Sequence, residues 1–299
     1  EEPSSLLVIV VDLNPLWWGK KLAKQDVETV LTQYLDSIMV FGNAHLMLNH
    51  KNKLAVIATH KETSPYLHIF NSNIQEVPEE TSDDPNSQPD RDGKFELFAR
   101  VNNGVMEQIK EVFMLDNSDS QVSSDSLIAG AMCKALCYIN RLEKEATYGE
   151  KISARMLIIK GAEDNPSQYM NFMNVVFTAQ KLNVVIDACL VQNDSGLLQQ
   201  ACDITGGMYL KITQTSGLLQ YLLWVYLPDP SVRTTLSLPP KVQVDYRAAC
   251  FCHRNLIDIG YVCSVCLSIF CAFTPICSTC QTKFKIMGPA KLKRKVKKT

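Results

Sequence analysis

The first apolar run of the chain constrains the fold more than any other stretch. Residues 6–11 are Leu-Leu-Val-Ile-Val-Val, and the run ends at Asp12. A short, continuous apolar run rich in β-branched residues is typical of a strand buried on both faces, and such strands belong to parallel sheets covered by helices. Asp12 is therefore predicted at the carboxyl end of this strand, where open α/β sheets usually have their ligand sites.

Helical and strand patterns alternate along most of the remaining chain. Apolar residues at helical spacing predict helices at residues 25–40, 101–115, 125–142, 165–182, 195–206 and 216–226. Short apolar runs predict strands at residues 44–48, 54–59, 66–70, 155–159, 184–190 and 208–212, the first two joined by a turn at 49–52. This alternation predicts an α/β fold with a doubly wound, mostly parallel sheet.

Composition shifts divide the chain into segments, and no internal repeat is visible. The α/β domain is predicted over residues 1–227, with a flexible acidic insertion at about 71–93 that carries seven carboxylates against one arginine. Prolines mark a linker at 228–246, a small cysteine module follows at 247–286, and a basic tail occupies 287–299. No apolar run reaches the length of a membrane span, and the opening run lacks the features of a signal peptide.

Seven of the eleven cysteines lie between Cys250 and Cys280. Without a secretion signal, C-x-x-C pairs indicate a reducing compartment and metal binding rather than disulfides. Two such pairs, Cys263/Cys266 and Cys277/Cys280, offer four thiolates, which match a closed tetrahedral structural zinc site. A module of this size buries little core and needs such a cross-link. The sequence therefore predicts structural zinc at these four residues.

A second set of ligand types is interleaved with the first. Cys250, Cys252, His253 and Cys271 would suffice for a second ion, or Cys250 and Cys271 are core residues and His253 faces solvent. Both interpretations stay open at the level of the sequence. The cysteines outside the module are predicted to be core residues because they lie on apolar faces, and they are Cys133, Cys137, Cys189 and Cys202.

Two stretches carry a resemblance to known families. The run Leu197-Leu-Gln-Gln-Ala-Cys-Asp-Ile-Thr-Gly-Gly-Met-Tyr209, together with the strand ending at Asp12, resembles the von Willebrand A domain. With residues 246–255 and 260–271 added, the whole chain resembles the family of small TFIIH core subunits, which joins such a domain to a C-terminal zinc finger. The resemblance implies a von Willebrand A-like domain over roughly residues 4–227.

Many von Willebrand A domains hold Mg²⁺ through Asp-x-Ser-x-Ser after the first strand. Here the five positions are Asp12-Leu-Asn-Pro-Leu16, so Asn14 keeps one oxygen and Leu16 has none. An ion at Asp12 would need further oxygens, such as those of Ser123, Ser124 or Asp164. We therefore expect no Mg²⁺ at this degenerate site and expect Asp12 to brace the neighbouring loops. Trp17 and Trp18, in the same loop, are candidates for contact with a partner or for packing at the domain's own rim.

The resemblance implies a non-catalytic structural subunit of TFIIH, acting in RNA polymerase II transcription initiation and nucleotide excision repair. The expected main partner is the larger TFIIH subunit with a von Willebrand A domain and zinc modules, and contact with promoter or damaged DNA would be indirect. The sequence shows no phosphate loop, dinucleotide fingerprint or catalytic triad order. The alternatives are a zinc-dependent ubiquitin ligase module and direct nucleic-acid binding.

The basic tail bears on location and on nucleic-acid binding. Residues 291–299 carry six positive charges, which is typical of a nuclear localisation signal, of a nonspecific nucleic-acid contact or of a solvated disordered end. Together with the resemblance, the tail predicts a nuclear protein without a membrane segment.

Overall fold

The computed structural model describes residues 4–14, 17–19, 27–59, 66–70, 96–114, 126–146, 152–162, 164, 168–240, 243–253 and 255–284. Several predicted features lie outside these residues, namely the acidic insertion at 71–93, the basic tail at 287–299, Ser123, Ser124 and the predicted helix start at 165–167. The chain forms two compact units, Glu1–Val244 and Asp245–Thr299. No helix in the described ranges is long and apolar enough to cross a bilayer.

The first unit is built on a six-stranded sheet with helices on both faces. Its strands are β1 (Ser4–Asp12), β2 (Lys53–Thr59), β3 (Tyr66–Phe70), β4 (Ile152–Lys160), β5 (Val185–Val191) and β6 (Tyr209–Ile212). The order across the sheet is β3-β2-β1-β4-β5-β6, and all neighbours are parallel except β3, which runs antiparallel to β2. The doubly wound, mostly parallel α/β fold predicted from the sequence is confirmed.

Side chains of β1 alternate between two apolar layers. Leu6, Val8 and Val10 contact one layer, which includes α3 (Ile128–Glu145), α4 (Tyr169–Lys181) and α5 (Gly196–Thr205). Leu7, Ile9 and Val11 contact the other layer, which includes α1 (Val27–Leu48), α2 (Glu96–Met114) and the last helix. That helix begins as α6 (Leu218–Tyr221) and continues as a π-helix over Leu222–Tyr226. The continuous apolar pattern of β1 follows from this burial on both faces.

The prediction of a strand at residues 44–48 is wrong, because these residues form the last turns of α1. His45 and Leu46 are buried there, while Met47 and Leu48 are exposed, which is a helical rather than an alternating pattern. The following turn is closed by the Asn52 side chain, whose Nδ2 donates to the His45 carbonyl at 2.9 Å. The strand β2 instead pairs with β1 and β3.

The Leu197–Tyr209 stretch folds as its sequence predicts. Ser195 caps α5 by accepting a hydrogen bond from the Leu198 amide at 3.2 Å, and Gly206 ends the helix with a φ of 75°. At Gly207 a Cβ would lie 1.9 Å from the Ile186 carbonyl oxygen, so only glycine allows this close approach to β5. Gly206 is therefore required by its positive φ, and Gly207 by the close approach of its backbone to β5.

Two buried arginines attach the end of the last helix to the sheet. Arg155, on β4, donates to the carbonyls of Tyr226 and Leu227 at 2.6 and 3.0 Å. Arg233 forms a two-pronged ion pair with Asp187 of β5, with both N···O distances at 2.7 Å. Residues 228–244, which the sequence analysis assigns to a linker, thus belong to the first unit.

The second unit consists of short strand pairs around cysteine turns. Strands β7 (Ala248–Ala249) and β8 (Leu256–Ile257) pair antiparallel, as do β9 (Tyr261–Val262) and β10 (Ile269–Phe270). An isolated antiparallel bridge joins Ile276 to Lys283. The buried cluster of this unit is small and consists of Cys263, Phe270 and Cys277. So little buried apolar surface does not hold a unit of this size together without a further cross-link.

Candidate metal centre

The turns at residues 263–268 and 277–282 have the same backbone geometry. In each turn the amide of the first cysteine donates to the carbonyl five residues later, Cys263 to Ser268 and Cys277 to Thr282, both at 2.9 Å. The residue after the second cysteine, Leu267 or Gln281, has a positive φ of 61° or 57°. Non-glycine residues rarely adopt this conformation, and here it closes each turn so that both sulphurs point to one side.

The four sulphurs of these turns lie together. The ligand atoms of Cys263, Cys266, Cys277 and Cys280 are all within 4.8 Å of one another. The Cys263–Cys280 and Cys266–Cys277 sulphur separations are 3.7 and 3.5 Å. Zn–S bonds of about 2.3 Å at tetrahedral angles place neighbouring sulphurs about 3.8 Å apart, so the residues present fit a four-thiolate zinc site.

Hydroxyl groups next to these sulphurs favour their thiolate form. Ser268 Oγ lies 3.1 Å from Cys266 Sγ, and Thr282 Oγ1 lies 3.1 Å from Cys280 Sγ. The Ser268 side chain and backbone lower the pKa of Cys266 to about 6, and Thr282 lowers the pKa of Cys280 in the same way. Because metals bind the thiolate, this environment prepares Cys266 and Cys280 for an ion.

The second predicted set is also brought together. The ligand atoms of Cys250, Cys252, His253 and Cys271 lie within 4.8 Å of one another. Cys271 Sγ is 3.3 Å from Cys252 Sγ and 3.2 Å from His253 Nδ1. Burial favours the neutral Cys250 thiol, but hydrogen bonds from the backbone of His253 and Asn255 lower its pKa to about 6. Cys250 is buried and His253 is exposed, so the clustering is compatible with a second ion, and both interpretations from the sequence stay open.

The carboxylate of Asp12 connects three loops at the carboxyl edge of the large sheet. Its Oδ1 accepts hydrogen bonds from Ser126 Oγ at 2.8 Å and from the Asn14 amide at 3.2 Å. Its Oδ2 accepts from the Ala162 amide at 3.0 Å. Asp164, one of the oxygen donors considered for an ion, contacts Lys160 and accepts from Ser195 Oγ at 2.7 Å. Asp12 therefore braces the neighbouring loops, as the sequence analysis expects.

The two tryptophans after Asp12 have different environments. Trp18 is 2% exposed, its ring lies 4.8 Å from that of Tyr34, and its Nε1 donates to the Asp12 carbonyl at 3.3 Å. Trp18 is thus a buried residue, and its burial favours packing within the domain, one of the two alternatives that the sequence leaves open for it. Trp17 is half-buried, and its ring lies against Gly161 so closely that a Cβ there would come within 2.5 Å. A partner contact by Trp17 stays a prediction.

A third tryptophan is the most exposed of the three. Trp224, on the last helix, is 64% exposed, and Tyr221 on the same helix is also exposed. The helical pattern around Trp224 does not by itself distinguish an inward from an outward aromatic residue, so this exposure is not visible in the sequence. Large aromatics at the surface are typical anchors of protein interfaces.

The remaining cysteines divide into two groups. Cys189 and Cys202 are buried, as predicted, and burial raises the pKa of Cys189 to about 12. Cys133 and Cys137 are exposed on α3, so the prediction that they are core residues is wrong. They lie four residues apart on the outward face, whereas Met132 and Leu136 beside them are the residues that enter the core.

A family model decides which proteins this chain is related to. The model for transcription factor Tfb4 matches residues 4–281, which span both units and both cysteine sets. The chain belongs to the Tfb4 family.

Curated members of the Tfb4 family resemble the chain over most of its length. The chain is 40% identical to the general transcription and DNA repair factor IIH subunit tfb4 of Schizosaccharomyces pombe, over 94% of this chain and 89% of that protein. It is 38% identical to the subunit TFB4 of the same factor in Arabidopsis thaliana, over 96% of this chain and 90% of that protein. The similarity therefore includes the module as well as the α/β domain.

A solved structure supports the assignment of the α/β fold to the Tfb4 family. The crystal structure of the TFIIH p34 N-terminal domain matches with a TM-score of 0.59 at 27% identity. The match covers 74% of this chain and 97% of the chain in the crystal structure. The α/β architecture of the first unit is therefore shared with a solved TFIIH protein domain.

Proposed function

We propose that the chain is a structural, non-catalytic subunit of the TFIIH core, acting in RNA polymerase II transcription initiation and nucleotide excision repair through protein–protein contacts. The observation that carries this proposal is the 40% identity to a subunit of the general transcription and DNA repair factor IIH over 94% of the chain. A match over nearly the whole chain retains the arrangement of domains as well as the fold.

The chemistry of the described residues supports a structural role. Both cysteine sets offer four protein ligands each, and a tetrahedral ion with four protein ligands has no open position for a substrate. At the sheet edge, the Asp12 carboxylate is engaged by Ser126 and Ala162 rather than presented to solvent. What the molecule offers to other molecules is therefore its surface.

Zinc at Cys263, Cys266, Cys277 and Cys280 is part of the same proposal. Thiolates at this spacing favour zinc over the hard cations Mg²⁺ and Ca²⁺, which prefer oxygen ligands. The ion would compensate for a small apolar core, since the buried cluster among the described residues of the second unit contains Phe270 and two of the ligands. Its binding free energy would then be part of the folding free energy of the unit.

The proposed main partner is the larger TFIIH subunit that has its own von Willebrand A domain and zinc modules. Trp17 and the exposed Trp224 are the proposed aromatic contacts on the first unit. The proposed location is the nucleus, and association with promoter or damaged DNA would be indirect, through the complex.

Affinity purification of the tagged full chain from nuclear extract, washed at moderately high salt, tests the proposal. Near-stoichiometric recovery of the other TFIIH core subunits, identified by mass spectrometry, is the expected result. Recovery of the chain alone, or with nucleic acid only, would overturn the structural-subunit role.

Two matched variants examine the surface. Trp224→Ala removes the exposed ring and is expected to reduce recovery of the partner, whereas Arg141→Ala removes an exposed side chain of α3 and should leave recovery unchanged. Unfolding curves of both variants show whether the fold is intact. Full recovery with a folded Trp224→Ala protein would remove Trp224 from the interface without affecting the proposed role.

A further inference from the structure

The turn that begins at Cys250 is closed by the same backbone hydrogen bond as the two C-x-x-C turns. The Cys250 amide donates to the carbonyl of Asn255, five residues later, at 2.9 Å. The same bond, with the same length, closes the turns that begin at Cys263 and Cys277. Three turns of the second unit therefore share one hydrogen-bond pattern.

The strand pairing around the three turns is also the same. Each turn is flanked by an antiparallel pair of residues. One member directly precedes the first cysteine of the turn, and the other lies six positions after that cysteine. These pairs are Ala249 with Leu256, Val262 with Ile269, and Ile276 with Lys283. The expectation of no internal repeat is therefore wrong for this unit, which contains three copies of one short hairpin.

When the three hairpins are aligned on their first cysteine, His253 occupies the position of a metal ligand. In the first-described turns the ligand residues are the first and fourth of the motif, Cys263/Cys266 and Cys277/Cys280. The equivalent residues of the third turn are Cys250 and His253, so this turn reads C-x-x-H. Histidine and cysteine both bind zinc in structural sites, so the substitution preserves the chemistry.

Two further residues complete a set of four around this hairpin. Cys252 lies between the two ligand positions of the turn, and Cys271 follows β10. Zn–S and Zn–N bonds at tetrahedral angles place sulphur and nitrogen about 3.5 Å apart and two sulphurs about 3.8 Å apart. The observed separations from Cys271 Sγ are 3.2 Å to His253 Nδ1 and 3.3 Å to Cys252 Sγ. The atoms are thus gathered at the spacing of a metal shell.

We infer that Cys250, Cys252, His253 and Cys271 hold a second zinc ion, with His253 binding through Nδ1. This inference extends the zinc-stabilised module of the proposed function to a second, independent site. Thiolate and imidazole ligands in a four-coordinate set suit zinc among the common divalent cations.

The order of ligands along the chain links the two sites. Cys271 of the second set lies between the two cysteine pairs of the first set, so the sites are interleaved. The second ion connects the β7–β8 hairpin to the end of β10, where the Phe251 amide also donates to the Ile269 carbonyl at 2.8 Å. Cys252 and His253 are exposed, whereas Cys263 and Cys277 of the first set are buried. The second ion is therefore the one that a chelator reaches first.

Zinc content of the purified full chain tests the inference. Native mass spectrometry and elemental analysis are expected to give about two zinc ions per wild-type chain. The Cys252→Ser/Cys271→Ser variant is expected to keep about one, a twofold loss. Cys133→Ser/Cys137→Ser is the matched control, because it also removes two thiols, both exposed on α3, and should leave the zinc content unchanged.

Zinc K-edge X-ray absorption of the wild-type chain gives a readout that does not depend on a variant folding. The two sites together have seven sulphur ligands and one imidazole ligand. The spectrum should therefore contain an imidazole contribution at a ratio of one imidazole to seven sulphurs. One zinc ion with sulphur ligands only would overturn this inference and leave the first site in place. Absence of zinc altogether would overturn the metal part of the proposed function as well. Two ions retained in the Cys252→Ser/Cys271→Ser variant would also contradict the assignment.

Discussion

Arg233 and Asp187 form a buried ion pair that attaches the segment after the last helix to the central sheet. The side chains are only 7% and 2% exposed, and both guanidinium-to-carboxylate distances are 2.7 Å. Arg233 also donates to the Pro228 carbonyl at 3.0 Å and to the Tyr226 carbonyl at 3.3 Å. One side chain thus satisfies the end of the helix and pairs with β5 at the same time.

Arg233→Ala is expected to destabilise the first unit by about 3–5 kcal/mol, because it leaves the Asp187 carboxylate buried without its partner. Urea unfolding followed by tryptophan fluorescence measures this loss. All three tryptophans, Trp17, Trp18 and Trp224, belong to the first unit, so the signal reports that unit alone.

The exposed pair Arg141–Glu145 provides the control for that variant. Its side chains are 59% and 61% exposed, and the Arg141 guanidinium also lies 5.3 Å from the Tyr138 ring centroid, so Arg141→Ala should cost at most about 1 kcal/mol. Similar losses for Arg233→Ala and Arg141→Ala would contradict a stabilising role for the buried pair.

His45 gives the first unit a predictable sensitivity to acid. Burial, followed by the nearby Arg155 charge, lowers the pKa of His45 to about 4. In the unfolded chain a histidine has a pKa of about 6.5, so between these values the unfolded state binds more protons than the folded state. Above about pH 6.5 the neutral His45 does not reduce the free energy of unfolding. As the pH drops from 6.5 toward 4, the free energy of unfolding falls by up to about 3 kcal/mol.

Unfolding curves at several pH values between 4 and 7, read by tryptophan fluorescence, measure this slope. His45→Asn should reduce the slope, because it removes the buried imidazole whose pKa differs between the folded and unfolded states. An unchanged slope in a folded His45→Asn protein would assign the acid sensitivity to other groups.

Asp12 is expected to stabilise the sheet edge without Mg²⁺. Removing its carboxylate leaves Ser126 Oγ and the Ala162 amide without this acceptor, so Asp12→Ala should cost about 2 kcal/mol in the free energy of unfolding. Millimolar Mg²⁺ should leave the melting temperature of the wild-type chain unchanged. An increase in melting temperature with Mg²⁺ that is absent in Asp12→Ala would show that the ion binds there.

Metal removal is expected to act on the second unit and to leave the first unit folded. A chelator, or the variant Cys277→Ser, should make residues beyond 245 susceptible to limited proteolysis, because the binding free energy of the ion is folding free energy in such modules. Tryptophan fluorescence should stay native. The Cys133→Ser variant is the control, and a chelator that unfolds both units together would contradict this independence.

The sequence predicts this fold well where one pattern has one physical cause. The run Leu6–Val11 is apolar throughout because it is buried on both faces, and Gly206 ends α5 because the chain there needs a positive φ. The run at residues 44–48 misleads because its apolar residues fit either element. In the helix that forms there, His45 is buried beside Arg155. This contact joins distant parts of the chain, so the local pattern does not show it.

The candidate site was predictable to the extent that ligand spacing is local. The pairs Cys263/Cys266 and Cys277/Cys280 are visible as motifs, whereas Cys271 joins His253 only through the folding of the intervening hairpins. The pairing of Arg233 with Asp187 was not predictable for the same reason, since residue 233 lies among prolines that resemble a linker. Side-chain direction also separates Trp18, in the core, from Trp224 at the surface.

The position of β1 within the sheet has a consequence for how the protein is made. Of the six strands, β1 leaves the ribosome first, yet it lies between β2 and β4, and Val8 is paired with Ala55 on one side and Met156 on the other. The sheet therefore cannot close around its centre until the fourth strand has been synthesised. During that interval an apolar strand has an unpaired edge. Unpaired apolar edges are prone to aggregation, and long-range parallel pairing is typically slow to form.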